Sequence, residues 1–392
     1  MTGHVWSYIV IGSLGFLLPS MREELGLRPV QEGFLGAAPQ AANLMFAILF
    51  GWLLSRFGPK LLTSLSLFLG AGLAFFQGWA PVFAILLLGR FLFGIASIAR
   101  EPARILLVRQ WIPANEIVIA NALVNFFYGI VGIGFVLTPV LLKLLDNSWR
   151  NTLHIFGIVS LVLAVLWQVI GKERSTPEYE QQVRSQDVSP LRTIVRYREL
   201  WILAFGMMGT GVSFSAFSTF WPSFVLDKYG ISLTMSALVM GIGGGISAFT
   251  GFGVGFLVRR IGRKRQMLSI SGLVLALTSA ALLWTGSIPI LLLLFVVQSF
   301  GWSFFPIIMT IPFELPGIKP REVAVAATFL ETILWLGALM GPILAGAIQD
   351  TSGDLRLGLM ITGLSAVTMT IGSYRLPRVW DKPPAEPQLV SP

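Results

Sequence analysis

A charge held away from water is expensive and persists only where a partner or a task retains it. Before the terminal Arg109, four ionisable residues fall in one otherwise apolar stretch, residues 81–109: Arg90, Arg100, Glu101 and Arg104. On an ideal helix, Ser97, Glu101 and Arg104 lie within about 40° of Arg90, and Arg100 borders them at about 80°. A net-positive stripe of this kind attracts an anion, because a guanidinium forks onto a carboxylate or a similar group. A plainer reading stands beside it. Glu101 and Arg104 are three apart and can pair, Arg100 and Arg104 can reach back to an aqueous edge, and Arg90 can serve structure alone.

Glu331 is the second such residue. It sits in AATFLETILWLGALMG, with no cation in the same run. A carboxyl in that setting can hold and release a proton, which is the requirement for proton coupling. The alternative is a hydrogen bond to Asn43 or Gln40 of another run. Softer candidates are Ser213, Phe217 and Trp221 on one face of residues 199–226, and Gln298 and Trp302 in residues 288–313. Aromatic walls with few polar groups suit an organic solute, and equally suit packing or interfacial anchoring.

Other chemistry is absent. The chain has no cysteine and two histidines, His4 and His154. Thiol nucleophiles, iron–sulfur clusters and cysteine-based zinc sites are excluded, and neither a metal site nor a cofactor is expected. No Gly-x4-Gly-Lys-Ser/Thr phosphate loop occurs. No paired catalytic carboxylates and no Ser/His/Asp set stand out, so an enzyme is not expected.

The elements that must position these residues are read from apolar runs. Of 392 residues, 55% are hydrophobic and 12% charged, and mean hydropathy is +0.77. So few charges cannot cover a water-soluble domain of this size. Twelve runs, each near the 20 or so residues that a bilayer needs, cover 3–21, 30–55, 61–79, 81–109, 116–143, 149–171, 199–226, 233–258, 265–284, 288–313, 320–347 and 355–375. They are called spans 1 to 12. An even number puts both termini on one side. That side carries 19 of the 28 Lys and Arg, the other side 6, and span 4 the remaining 3. The bias predicts cytoplasmic termini in an inner or plasma membrane, and it explains the +9 net charge without nucleic acid. Residues 172–198 read as a cytoplasmic linker between a bundle over 1–171 and a bundle over 199–376, and the Pro-rich 377–392 as a disordered tail. Only 19 residues run from Met1 to Pro19, against 24 from 199 to Pro222. The first span is therefore expected to be short by about a turn, as from a misassigned start.

The two halves repeat. Pro19, Pro113 and Pro139 recur at Pro222, Pro316 and Pro342, 203 residues on; Gly26 and Pro102 recur at Gly230 and Pro306, 204 on. GWLLSRFGPK (51–60) recurs as GFLVRRIGRK (255–264), aligning Gly51, Arg56, Gly58 and Lys60 with Gly255, Arg260, Gly262 and Lys264. Parallel six-span repeats around a midplane site are one transporter architecture. Across about the whole chain, these features resemble the major facilitator superfamily. Its loop pattern Gly-x3-Asp-Arg-x-Gly-Arg/Lys is met by Gly51, Arg56, Gly58 and Lys60, with Ser55 and Arg259 where the Asp belongs. Arg90 and Gly94 fit its span-4 pattern. RQWIPANE (109–116) fits the turn that follows. Gly134, Thr138 and Pro139 fit a span-5 antiporter motif poorly.

The resemblance implies an all-α protein of two six-helix bundles, and alternating access by secondary transport without ATP. It also implies gating by the two glycine–basic loops, which otherwise read as topology signals alone. With the arginine stripe it predicts uptake of a small organic anion with protons through Glu331, by a monomer in a lipid bilayer. Efflux of amphipathic compounds is one alternative, favoured by the aromatic candidates. A non-transporting receptor or scaffold of the same fold is another.

Overall fold

The computed structural model describes residues 2–111, 131–132, 134–172, 196–318 and 320–377, which are helical throughout apart from turns. Most of the linker and of the tail falls outside the described residues, as does most of span 5. Span 1 is Thr2–Gly12 plus Leu14–Leu25, span 2 Pro29–Phe57 and span 3 Pro59–Gly78. Span 4 is Phe83–Ile98 plus Arg100–Trp111, span 5 ends in Leu137–Leu144, and span 6 is Trp149–Ile170. In the second half, spans 7, 8 and 9 are Arg198–Tyr229, Leu233–Ile261 and Lys264–Ala281. Span 10 is Ile288–Gly301 plus Phe304–Thr310, span 11 Pro320–Ser352, and span 12 Leu355–Leu364 plus Val367–Tyr374. Seven of the described helical stretches are individually long and apolar enough to cross a membrane.

The repeat is written into the backbone. Gly26 (φ 59°) and Gly230 (φ 67°) end spans 1 and 7 in the left-handed region, and Gly58 and Gly262, both at φ 70°, turn the chain between spans 2–3 and 8–9. A side chain would be strained at each of these positions. Spans 4 and 10 break at matching places, at Ala99 and at Trp302–Ser303. Each break is followed by a proline, Pro102 or Pro306. Proline cannot donate to the carbonyl four residues back and crowds it, but is accepted in the first turn of a new helix. Span 7 runs three residues beyond its apolar stretch, to Tyr229, and span 11 five beyond, to Ser352. Their extra turns carry Asp227 and Asp350, which bond across to the other half.

The two ends of the bundle differ. At the end away from the termini, one apolar cluster runs through both halves, joining Leu14, Leu17, Leu18 and Met21 to Ala216, Phe220 and Phe224. Toward the termini the clusters separate. One lies wholly in the second half around Leu203, Leu275 and Phe304, and a small one in the first half around Leu62, Ala99 and Ala103. Close approach at the joined end depends on small residues. A Cβ on Gly33 would strike the Pro342 carbonyl, one on Gly346 the Pro29 carbonyl, and one on Gly15 the Ser218 carbonyl. Gly337 and Gly341 let span 11 lie on the span 7 backbone at Met208 and Val212, as small residues do between membrane helices.

Candidate functional site

The site is the seam between the halves, where spans 2 and 11 face each other. Gly33 and Gly36 meet Pro342. On that span 2 face, residues are buried as far as Gln40, and Asn43 and Leu44 beyond it are half-buried. On span 11, Ala338 and Pro342 are buried, while Glu331 and Thr332 are exposed. Glu331 lies within about 20° of Pro342 on the helix, so it faces the same seam about three turns nearer the termini. The seam is shut at the far end and opens toward the termini. Glu331 is thus not enclosed in apolar packing, as its sequence surroundings suggested; it lines the opening. Gln40 lies within about 20° of Gly33, and its buried Oε1 has no hydrogen-bond partner among the described residues.

Far-end closure is ionic as well as apolar. The Arg22 guanidinium donates to Glu32 (2.6 and 3.1 Å) and across the seam to Asp227 at 3.0 Å. Arg28 donates across it to Asp350 at 3.0 Å. Glu24 accepts from Trp149 (2.6 Å) and Arg150 (2.7 Å), tying span 1 to span 6. In the sequence these arginines stand only as loop charges. The available signal was positional: acids and arginines cluster where spans 1, 2, 7 and 11 reach the far end.

The arginine stripe divides. Arg90, 3% exposed, donates through Nε to the Leu35 carbonyl at 2.8 Å and through Nη2 to the Ile11 carbonyl at 3.1 Å. The Leu35 carbonyl is the one that Pro39, lacking an N–H, cannot satisfy within span 2. Ile11 precedes the break in span 1 at Ser13. Arg90 therefore supplies donors to carbonyls at two helix irregularities. Arg100, 4% exposed, donates through Nε to Ser66 Oγ at 2.6 Å and through Nη2 to the Ser66 carbonyl at 2.7 Å. Its guanidinium occupies the space left by Gly70. The Ser66 hydroxyl in turn donates to the Ala96 carbonyl, just before the break at Ala99. Arg104 and Ser97 are half-buried, and the Ser97 hydroxyl donates to the Phe93 carbonyl of its own helix. The Glu101 side chain lies outside the described residues. Arg90 and Arg100, about 80° apart on an ideal helix, go to different neighbours, Arg90 to spans 1 and 2 and Arg100 to span 3.

The candidates of the second half mostly point into their own bundle. Ser213 Oγ is 3.5 Å from Ser279 Oγ of span 9, to which Gln298 donates at 3.1 Å. Phe217 and Ser279 both pack on Gly363 of span 12. Trp221 is fully buried with its edge on Phe295 (centroids 5.0 Å), and its Nε1 has no acceptor among the described residues. Trp302 leans on the exposed Phe214 at 5.3 Å. Of the glycine–basic loops, Gly58 and Gly262 make the turns already described. The Lys60 carbonyl accepts from Trp167 of span 6 at 3.4 Å, and Lys264 pairs with Glu314 and Thr310 of its own half. The side chains of Arg56 and Arg260, and the surroundings of Gly51 and Gly255, lie outside the described residues.

Comparison with known proteins places this arrangement. The chain is 24% identical to the probable sulfoacetate transporter SauU of Cupriavidus necator, over 91% of this chain and 87% of that protein. It is 23% identical to the probable L-galactonate transporter of Escherichia coli (92% and 83%) and 24% identical to the hexuronate transporter of the same organism (90% and 86%). In three dimensions it is similar to the nucleoside transporter NupG, with a TM-score of 0.78 at 15% identity over 96% of this chain and 98% of that one. A bacterial homologue of the lysosomal transporter Spinster, solved in an inward-facing conformation, gives 0.71 at 15% over 95% and 93%. The family model of the Major Facilitator Superfamily matches residues 1–318 and 254–391. Two repeated six-helix bundles closing on a seam, and a family match along nearly the full length, give one conclusion: the chain is an integral multi-pass membrane transport protein of the Major Facilitator Superfamily.

Proposed function

We propose that the protein carries a small organic anion of the sugar-acid or short sulfonate class, by rocking its halves about the seam between spans 2 and 11. The observation that carries this reading is the common cargo of its full-length relatives: sulfoacetate, L-galactonate and hexuronate name organic anions. Within this reading, roles fall to residues of spans 2, 4 and 11. Arg104 is half-buried on span 4, and we assign it the carboxylate or sulfonate. Gln40 offers a buried acceptor suited to a hydroxyl. Glu331, exposed on the open face, takes the coupling proton. The basic bias of the termini's side supports an orientation with the open seam toward the cytoplasm. Efflux of amphipathic compounds fits less well, because Phe217 and Trp221 are used in packing within the second bundle.

A ligand panel tests the assignment. Thermal unfolding of the detergent-purified chain is followed with hexuronates, aldonates, sulfoacetate, nucleosides and cationic drugs. Stabilisation by acids, lost in Arg104→Gln, is expected. Stabilisation by neutral or cationic compounds alone, unaffected by that substitution, overturns it. Glu331→Gln is expected to abolish proton-driven uptake while leaving exchange of the acid between the two sides intact. Unchanged proton-driven uptake removes Glu331 from the coupling role.

A further inference from the structure

Away from the seam, the outer surface of the second bundle carries a second kind of site. Spans 7 and 12 meet closely, since a Cβ on Gly372 would press on the Ile202 carbonyl and one on Gly206 on Met369. At their termini end they part into a crevice of about 220 Å³, lined by Arg198, Trp201, Ile202, Phe205, Ile371, Gly372 and Arg375. Arg198 begins span 7 and Arg375 caps span 12. Tyr374, next to Arg375 in the chain and exposed, has the Arg265 guanidinium 5.8 Å from its ring. Among the described residues, no acid lines the crevice. Below the guanidinium groups its walls are apolar, and Trp201, Phe205 and Ile371 each leave about half of their surface open.

Cationic rim and apolar walls make a surface with two halves of opposite character, set at the end of two membrane helices. A free phosphate would satisfy only the rim, and a neutral lipid only the walls. We propose that this crevice binds an anionic phospholipid, with its phosphate between Arg198 and Arg375 and its acyl chains along Trp201, Phe205 and Ile371. Guanidinium forks suit phosphate oxygens, and basic pockets between helices at a membrane edge suit anionic headgroups. Aromatic side chains are favoured at that depth. The site is remote from the seam and does not depend on what the transporter carries.

The test uses the full chain purified in detergent, with thermal unfolding read by tryptophan fluorescence. Phosphatidylglycerol, phosphatidylcholine and inorganic phosphate are added separately. Phosphatidylglycerol is expected to raise the midpoint by several degrees, with little change from the other two. The double variant Arg198→Gln/Arg375→Gln is expected to lose most of that shift, and the double lysine variant to keep much of it. Should the double glutamine variant not purify, Arg375→Gln alone carries the same comparison. A shift that survives the glutamine substitutions overturns the proposal. So does an equal shift with phosphatidylcholine, which assigns a general lipid effect, or with phosphate alone, which assigns a free-anion site.

Discussion

Arg100 of span 4 and Phe304 of span 10 stand 204 residues apart, at the same position of the repeat and just after the same break. Both are buried. In the first half, the break is held by a charge: Arg100 reaches Ser66 on span 3, over the space left by Gly70. In the second, it is held by an aromatic ring packed among Leu268, Leu275 and Ile308. The two copies reach one backbone geometry by opposite chemistry. A buried arginine is therefore not in itself evidence of a binding site. Its partners decide, and Arg90 and Arg100 spend their donors on carbonyls and a hydroxyl inside the first bundle.

Exchanging the two solutions is the strongest challenge to this comparison. Phe304→Arg puts a guanidinium into an apolar cluster built for a ring, where desolvation costs several kcal/mol. Little folded protein is expected on gel filtration after purification, and a stable, monodisperse variant would show that the copies are interchangeable. Arg90→Met comes next. It withdraws donors from the Leu35 and Ile11 carbonyls, at about 1–3 kcal/mol for each group left unsatisfied. A clear fall in melting temperature is expected. Adding Pro39→Ala should recover part of it, because an alanine at that position supplies the helical N–H that proline lacks. Arg100→Met removes the bonds to Ser66 and should cost less, about 1–3 kcal/mol, since the Ser66 hydroxyl can still reach Ala96. A melting temperature below that of Arg90→Met would reverse their ranking. The smallest effect is at the far end. Arg28 is largely exposed, and breaking its pair with Asp350 by Arg28→Ala is expected to change stability by no more than about 1 kcal/mol.

Much of the fold was legible because membrane spans announce themselves by composition and the halves by offset. The observed ends of spans 2, 3, 6, 8 and 9 fall within three residues of the apolar runs. The breaks were less visible. Pro102 and Pro306 were evident as a repeated pair, but only the structure shows that each follows a helix interruption. The helical wheel set Arg100 about 80° from Arg90, and the structure gives the two arginines different partners. Glu331 stood out as a lone acid in an apolar run; that it faces the seam follows from its phase relative to Pro342, which requires knowing that Pro342 meets Gly33. The bonds of Arg22 to Asp227 and of Arg28 to Asp350 join residues 205 and 322 positions apart, and local pattern carries no information about such pairings.

The most direct test of the account is counterflow in proteoliposomes. Vesicles containing the purified chain are loaded with an unlabelled hexuronate or aldonate and diluted into the radiolabelled acid. Transient accumulation of label is expected, abolished by Arg104→Gln and retained in Glu331→Gln. Accumulation of a nucleoside or a cationic drug with none of the acids, or acid counterflow indifferent to Arg104, would contradict the account.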